Sequence, residues 1–145
     1  MKCNKMEYDR MKTLAEFLGV EEEELKQSSY NENLFEYGNQ EYLVCTDEEA
    51  DQEVKENILD SLWAFNTEFI LRHSKIECIS DRTEKAFKKM QMELCESANE
   101  IVKAIIEDLD EFVEDAISAD GRGHFLSSYD GTENEIEEFY IYRTN

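Results

Sequence analysis

Residues 33–54, NLFEYGNQEYLVCTDEEADQEV, place two kinds of patterning side by side. Asn33 to Tyr37 and Glu41 to Thr46 are rich in aromatic and β-branched residues. They flank Gly38-Asn39, residues that tolerate positive φ, which is the pattern of a β-hairpin. Thr46-Asp-Glu-Glu49 follows at once as a capping box: the Thr46 hydroxyl caps a helix and the Glu49 carboxylate reaches back three residues. A strand pair feeding directly into a capped helix predicts an α+β chain.

Downstream of Thr46, Val54, Ile58, Leu62, Phe65 and Phe69, with Leu59, Trp63 and Ile70, recur at three- and four-residue intervals. They predict one long helix from Asp47 to about His73 with a wide buried stripe. After a break near 75–80, Ala86, Phe87, Met90, Leu94, Ala98, Ile101, Ile105, Leu109, Phe112 and Ala116 keep helical spacing from Asp81 to Ser118. That is long for one globular helix, so a bend near Glu96 to Asn99 is expected. Asp120-Gly-Arg-Gly123 stops the helix. Strands at His124 to Tyr129 and Glu138 to Arg143, joined through Asp130-Gly131, then form a second hairpin. Upstream, residues 11–18 read as a short amphipathic helix ended by Gly19, and EEEELKQ offers a further turn or two. The expectation is two long helical regions packed on one face of a small antiparallel sheet made of two hairpins, in a single acidic α+β domain spanning 1–145.

Composition narrows the function. The chain has 145 residues, with 36 Asp and Glu against 15 Lys and Arg, a net charge of −21. Hydrophobic residues at 41% and aromatics at 11% are enough for a core, which separates it from disordered acidic tails. Charges interrupt every apolar run, so no membrane span is expected, and MKCNKMEYDRMK lacks the apolar centre of a signal peptide. Cytoplasmic residence is expected. Cys3, Cys45, Cys78 and Cys95 form no CxxC pair and are expected as reduced thiols. Such a charge repels nucleic acid and anionic lipid and attracts basic protein surfaces. LAEFLGVEEEEL resembles the opening helices of a helix-turn-helix unit, yet SSYNENLFEYGNQEYLVCT, where the recognition helix belongs, has no basic residue.

Catalytic and metal patterns are absent from the sequence. His73 and His124 stand in no zinc-ligand spacing, and neither GxSxG nor GxxxxGK[ST] occurs. Aligning an EF-hand loop on Gly131 places Leu126 at the first ligand position, where it cannot ligate. No cofactor, metal or catalytic residue is assigned. In Asp120-Gly-Arg-Gly-His, the two glycines around Arg122 allow a close backbone approach, and a helix stop accounts for them.

The carboxylates themselves are the remaining feature. From Thr13 to Val54 thirteen acids face the single base Lys26, while Glu107, Asp108, Asp110, Glu111, Glu114, Asp115 and Asp120 run without a base between Lys103 and Arg122. Read as the end of a long helix, the second run opposes the backbone dipole, which disfavours each exposed carboxylate there by roughly 0.3–1 kcal/mol. Acids every three or four helical residues set charges about 5–6 Å apart, a scale comparable with duplex phosphates.

ADGRGHFLSSYDGTENEIEEFYIYR and NLFEYGNQEYLVCTDEEAD resemble segments of small acidic proteins carried by phages and mobile elements, among which are antirestriction and anti-CRISPR inhibitors that imitate DNA. The resemblance covers about a third of the chain and transfers no residue role. It implies an anti-defence inhibitor that binds the cationic nucleic-acid site of a host nuclease without catalysis. The residues expected to meet that partner are Glu21, Glu22, Glu23, Glu24, Asp47, Glu48, Glu49, Glu107, Asp108, Glu111, Glu114 and Asp115. A homodimer would double the length of duplex imitated. The alternative is an acidic adaptor that docks a protein partner through exposed aromatics such as Tyr37, Tyr129, Tyr140 and Tyr142.

Overall fold

The computed structural model describes residues 2–145, with side chains from residue 9 onward. In chain order the elements are α1 (Lys2–Leu18), β1 (Lys26–Gln27), β2 (Leu34–Tyr37), β3 (Gln40–Cys45), α2 (Asp47–Asp60), α3 (Thr67–Arg72), α4 (Asp81–Leu94), α5 (Asn99–Ile105), α6 (Leu109–Asp120), α7 (Arg122–Leu126), β4 (Asn134–Ile136) and β5 (Phe139–Arg143). Short 3-10 segments lie at Glu22–Glu24, Leu62–Ala64 and Cys95–Ala98. The chain is α+β, as its patterning predicts. By internal contacts it divides into two compact units, Met1–Val54 with Asp120–Asn145, and Lys55–Ala119.

The first unit carries an antiparallel sheet ordered β1-β2-β3-β5-β4. The β2–β3 hairpin pairs Tyr37 with Gln40, so Gly38-Asn39 forms a two-residue loop with Gly38 at φ +59°, as expected from its residues. Strands β3 and β5 join the two hairpins, with Val44 opposite Ile141 and Leu43 opposite Tyr142. Phe35, Tyr42, Val44, Phe139 and Ile141 cluster with Leu14 and Ala15 of α1 and with Leu25. Burial of each such large apolar side chain contributes about 1.5–3 kcal/mol. Side chains of opposite parity, Leu34, Leu43, Cys45 and Tyr142, are buried too. Both faces of the sheet are therefore covered, where helices were expected on one face only.

The expected strand at His124 to Tyr129 is not formed. Residues 122–126 are helical, and β5 pairs instead with Asn134–Ile136 through the turn Glu137-Glu138. Close approach explains the helix: a Cβ on Gly123 would press into the Gly131 carbonyl oxygen and lie 3.0 Å from the Glu133 nitrogen. The polar segment NEI takes the edge position because one-sided pairing with β5 outweighs its weak strand propensity.

In the second unit the expected continuous helix from Asp47 to His73 is interrupted after Asp60. Two distant side chains take over the backbone groups freed there. The Gln91 amide donates to the carbonyls of Trp63 and Phe65, each at 2.8 Å, and accepts from the Thr67 hydroxyl at 2.7 Å. Asn99 accepts from the Trp63 N–H at 2.8 Å and donates to the Asp60 carbonyl at 2.7 Å. Such pairing makes a break cheap, because buried backbone groups are costly only when left alone. The region from Asp81 onward bends at Cys95–Ala98, within the span expected, and breaks again before Leu109. There the Glu107 N–H donates to the His73 carbonyl and the Lys75 N–H to that of Ile105.

Candidate acidic interface

Two arginines of the first unit organise carboxylates into structure. Arg10, 4% exposed, makes a bidentate pair with Glu49, both contacts at 2.7 Å, and donates to the Val44 carbonyl at 2.9 Å. Glu49 also closes the Thr46 capping box by accepting from the Thr46 N–H at 2.8 Å. Burial alone would raise the Glu49 pKa, but the hydrogen bonds from Arg10 and Thr46 outweigh it and hold the carboxyl below its ordinary 4.5. Arg122, its side chain 11% exposed, pairs with Asp47 at 2.8 Å and Asp51 at 3.0 Å and donates through Nε to Glu133 at 2.9 Å. Its guanidinium lies 4.5 Å from the centre of the Tyr140 ring. Asp47 and Glu49 thus act within the fold, whereas Glu48 between them is exposed. Glu21 and Glu24 cap each other across the Glu22–Glu24 turn, with Glu22 half-buried and Glu23 exposed.

The second unit holds the other predicted run, and its geometry reverses one expectation. Asp108 precedes α6, and its carboxylate accepts from the Glu111 N–H at 3.2 Å. Asp108, Asp110 and Glu111 therefore lie at a helix start, where the dipole favours carboxylates. The supposed dipole penalty does not apply to them, because the helix was read through from 81 to 118 without its second break. Glu107, Asp108, Asp110 and Glu111 surround a surface cleft of about 590 Å³, together with Arg72, His73 and Leu109. Lys55 pairs with Asp110 at 3.2 Å, and His73 Nε2 lies 3.2 Å from Asp115. The His73 ring is held edge-on to Phe112, centroids 5.3 Å apart. Phe112, Val113 and Ala116 fill the buried side of α6, leaving Glu111, Glu114 and Asp115 exposed. Glu107, Glu111 and Glu114 enter no ion pair among the described residues.

Sequence reasoning omitted Asp110, Arg72 and His73 from the predicted interface. Asp110 belongs to the acidic run, but the return of the chain that brings Arg72 and His73 to it has no local signal. The aromatic alternative is largely spent within the fold. Tyr142 is fully buried, its hydroxyl donating to Glu133 at 2.6 Å, and burial followed by that carboxylate pushes its pKa up. Tyr140 lies under Arg122, Tyr37 packs half-buried against the sheet core, and Tyr129, 57% exposed, has the Arg143 guanidinium 3.5 Å from its ring centre, while Tyr30, outside that set, is 78% exposed.

No group of three or more His, Cys, Asp or Glu side chains that could hold a metal ion occurs among the described residues. Nor is any helix among them long and apolar enough to cross a membrane. No family model, curated protein or solved structure matches the chain.

Proposed function

We propose that this chain is a phage or mobile-element anti-defence inhibitor of the antirestriction or anti-CRISPR type. It occupies the cationic nucleic-acid site of a host nuclease in the bacterial cytoplasm by carboxylate mimicry, without catalysis. The observation that carries the reading is the cleft edged by Glu107, Asp108, Asp110 and Glu111, continued along α6 by Glu114 and Asp115. Glu114 and Asp115 each follow Glu111 by one helical turn, which sets negative charge at intervals of about 6 Å. The cleft itself has room for a guanidinium or ammonium group. A basic groove that reads phosphates offers such groups in rows. Glu23 and Glu48, which enter no ion pair among the described residues, add exposed charge in the first unit. The net charge of −21 steers approach to a basic partner and makes the association salt-sensitive.

The test is capture of partners from bacterial lysate containing defence nucleases, washed at low and high salt, with bound protein challenged by duplex DNA or guide RNA. Recovery of a nuclease that nucleic acid displaces, and that high salt releases, is the expected result. Salt-resistant binding of a protein unrelated to nucleic acid overturns the reading.

A further inference from the structure

We infer that Asp120-Gly121 is a site of spontaneous isoaspartate formation, and that Asp130-Gly131, the other Asp-Gly pair of the chain, is protected from it. The reaction is internal to the chain. The Gly121 nitrogen attacks Cγ of the protonated Asp120 carboxyl, an N–Cγ bond forms, the Cγ–OH bond breaks, and the hydroxyl leaves as water with the amide proton. Water then opens the resulting succinimide at the Asp120 main-chain carbonyl carbon, giving its hydroxyl to that carbon and its proton to the Gly121 nitrogen as the bond between them breaks. The chain now runs through the former side chain and is one methylene longer. Glycine in the second position favours the attack because no Cβ blocks the approach to its nitrogen.

The glycines do not separate the two pairs. Gly121 and Gly131 sit at φ +83° and +70°, and a Cβ on either would meet nothing within 4 Å. Hydrogen bonding does separate them. The Asp130 carboxylate accepts from the Ser127 hydroxyl at 2.8 Å and from the Thr132 N–H at 3.0 Å. These bonds hold its carboxyl below the ordinary 3.8, so the neutral form that the attack requires is scarce. The attacking nitrogen is engaged as well, since the Gly131 N–H donates to the Ser127 carbonyl at 3.0 Å. Asp120, by contrast, is exposed, and its carboxylate enters no hydrogen bond or ion pair among the described residues. It closes α6, and the last turn of a helix opens at little cost. Directly after it, Gly121 leaves the helix at φ +83° and ψ 155°. The added methylene falls just before Arg122, whose guanidinium makes the ties to Asp47, Asp51 and Glu133.

Peptide mapping of the full chain after prolonged incubation in mildly acidic buffer at physiological temperature tests it, with isoaspartate told from aspartate by electron-transfer fragmentation. In the folded protein, isoaspartate is expected to accumulate at position 120 at least about tenfold faster than at position 130, the scale set by breaking a hydrogen bond to a charged group. In denaturant the two positions should react at similar rates, which separates the effect of the fold from that of the flanking residues. Ser127→Ala, with helical circular dichroism unchanged, should raise the rate at 130 and leave that at 120 as it was. Equal rates in the folded chain, faster reaction at 130, no reaction at 120, or a preference for 120 that persists undiminished in denaturant overturns the inference.

Discussion

Arg122 holds Asp47 twice, donating from one nitrogen to its carboxylate at 2.8 Å and to its backbone carbonyl at 3.1 Å. The pair spans 75 positions of sequence and ties the start of α2 to the start of α7. A carboxylate that reads as part of an acidic surface is therefore part of the fold. Arg122→Ala leaves Asp47, Asp51 and Glu133 facing one another without their cation. It should cost about 2 kcal/mol in urea unfolding, the scale of a lost charged hydrogen bond. A loss below about 0.5 kcal/mol, the range of an ordinary surface substitution, would show that the cluster does not hold the unit together.

Glu49 makes the acid limb of stability predictable. Its carboxyl is held below the ordinary 4.5, so its contribution is complete above pH 4.5 and is lost as pH falls through the lower folded-state value. Urea midpoints of the wild type and Glu49→Gln, compared at matched pH, should differ by a constant amount above that point and converge below it. The comparison cancels the relief of general carboxylate repulsion, which both proteins share. A gap that persists unchanged into strong acid contradicts the role given to Arg10.

Thiol reactivity separates the cysteines. Cys45 is fully buried, and burial followed by Glu53 and Glu49 pushes its pKa up to about 12. Cys78 and Cys95 are exposed. Alkylation of the native protein at neutral pH, read by peptide mass spectrometry, should modify Cys78 and Cys95 rapidly and Cys45 only after denaturant is added. Early labelling of Cys45 would mean that the sheet opens far more readily than its packing implies.

The two hairpin turns provide an internal comparison. Gly38 and Glu137 each open a two-residue loop and sit at φ +59° and +57°. A glycine accepts that conformation without a Cβ clash, so Glu137→Gly should raise stability by about 1 kcal/mol, measured as an upward shift in Tm. Gly123→Ala should do the opposite by roughly 1–3 kcal/mol through overpacking against the Gly131 backbone. A neutral Gly123→Ala would contradict the close approach.

What could be read in advance was local. The Gly38-Asn39 turn and the Thr46–Glu49 box each lie within a few residues, and both form as expected. The breaks in the helices do not have local causes. Asp60 and Trp63 part from the helix because Gln91 and Asn99, about 30 to 40 residues onward, satisfy them. The direction of the α6 dipole depended on such a break, which is why Asp108 was placed at the wrong end of a helix. Segment 124–129 offers aromatic residues for a strand, but the Gly123–Gly131 approach and the reach of Arg122 to Asp47 fix the start of a short helix that ends at Leu126, and the residues after it turn instead of extending. Among the acidic residues, exposure was legible for Glu48, Glu111 and Glu114. The pairing of Asp47 and Glu49 with arginines was not, because those arginines come from positions 75 and 39 residues away.

The most direct test of carboxylate mimicry repeats the partner capture with Glu107→Lys, Glu111→Lys and Glu114→Lys combined, since none of the three is in an ion pair among the described residues. With helical circular dichroism and Tm matching the wild type, the reversed chain is expected to lose the nuclease that nucleic acid displaces from the wild type. Undiminished capture of that nuclease by the reversed chain would contradict the account.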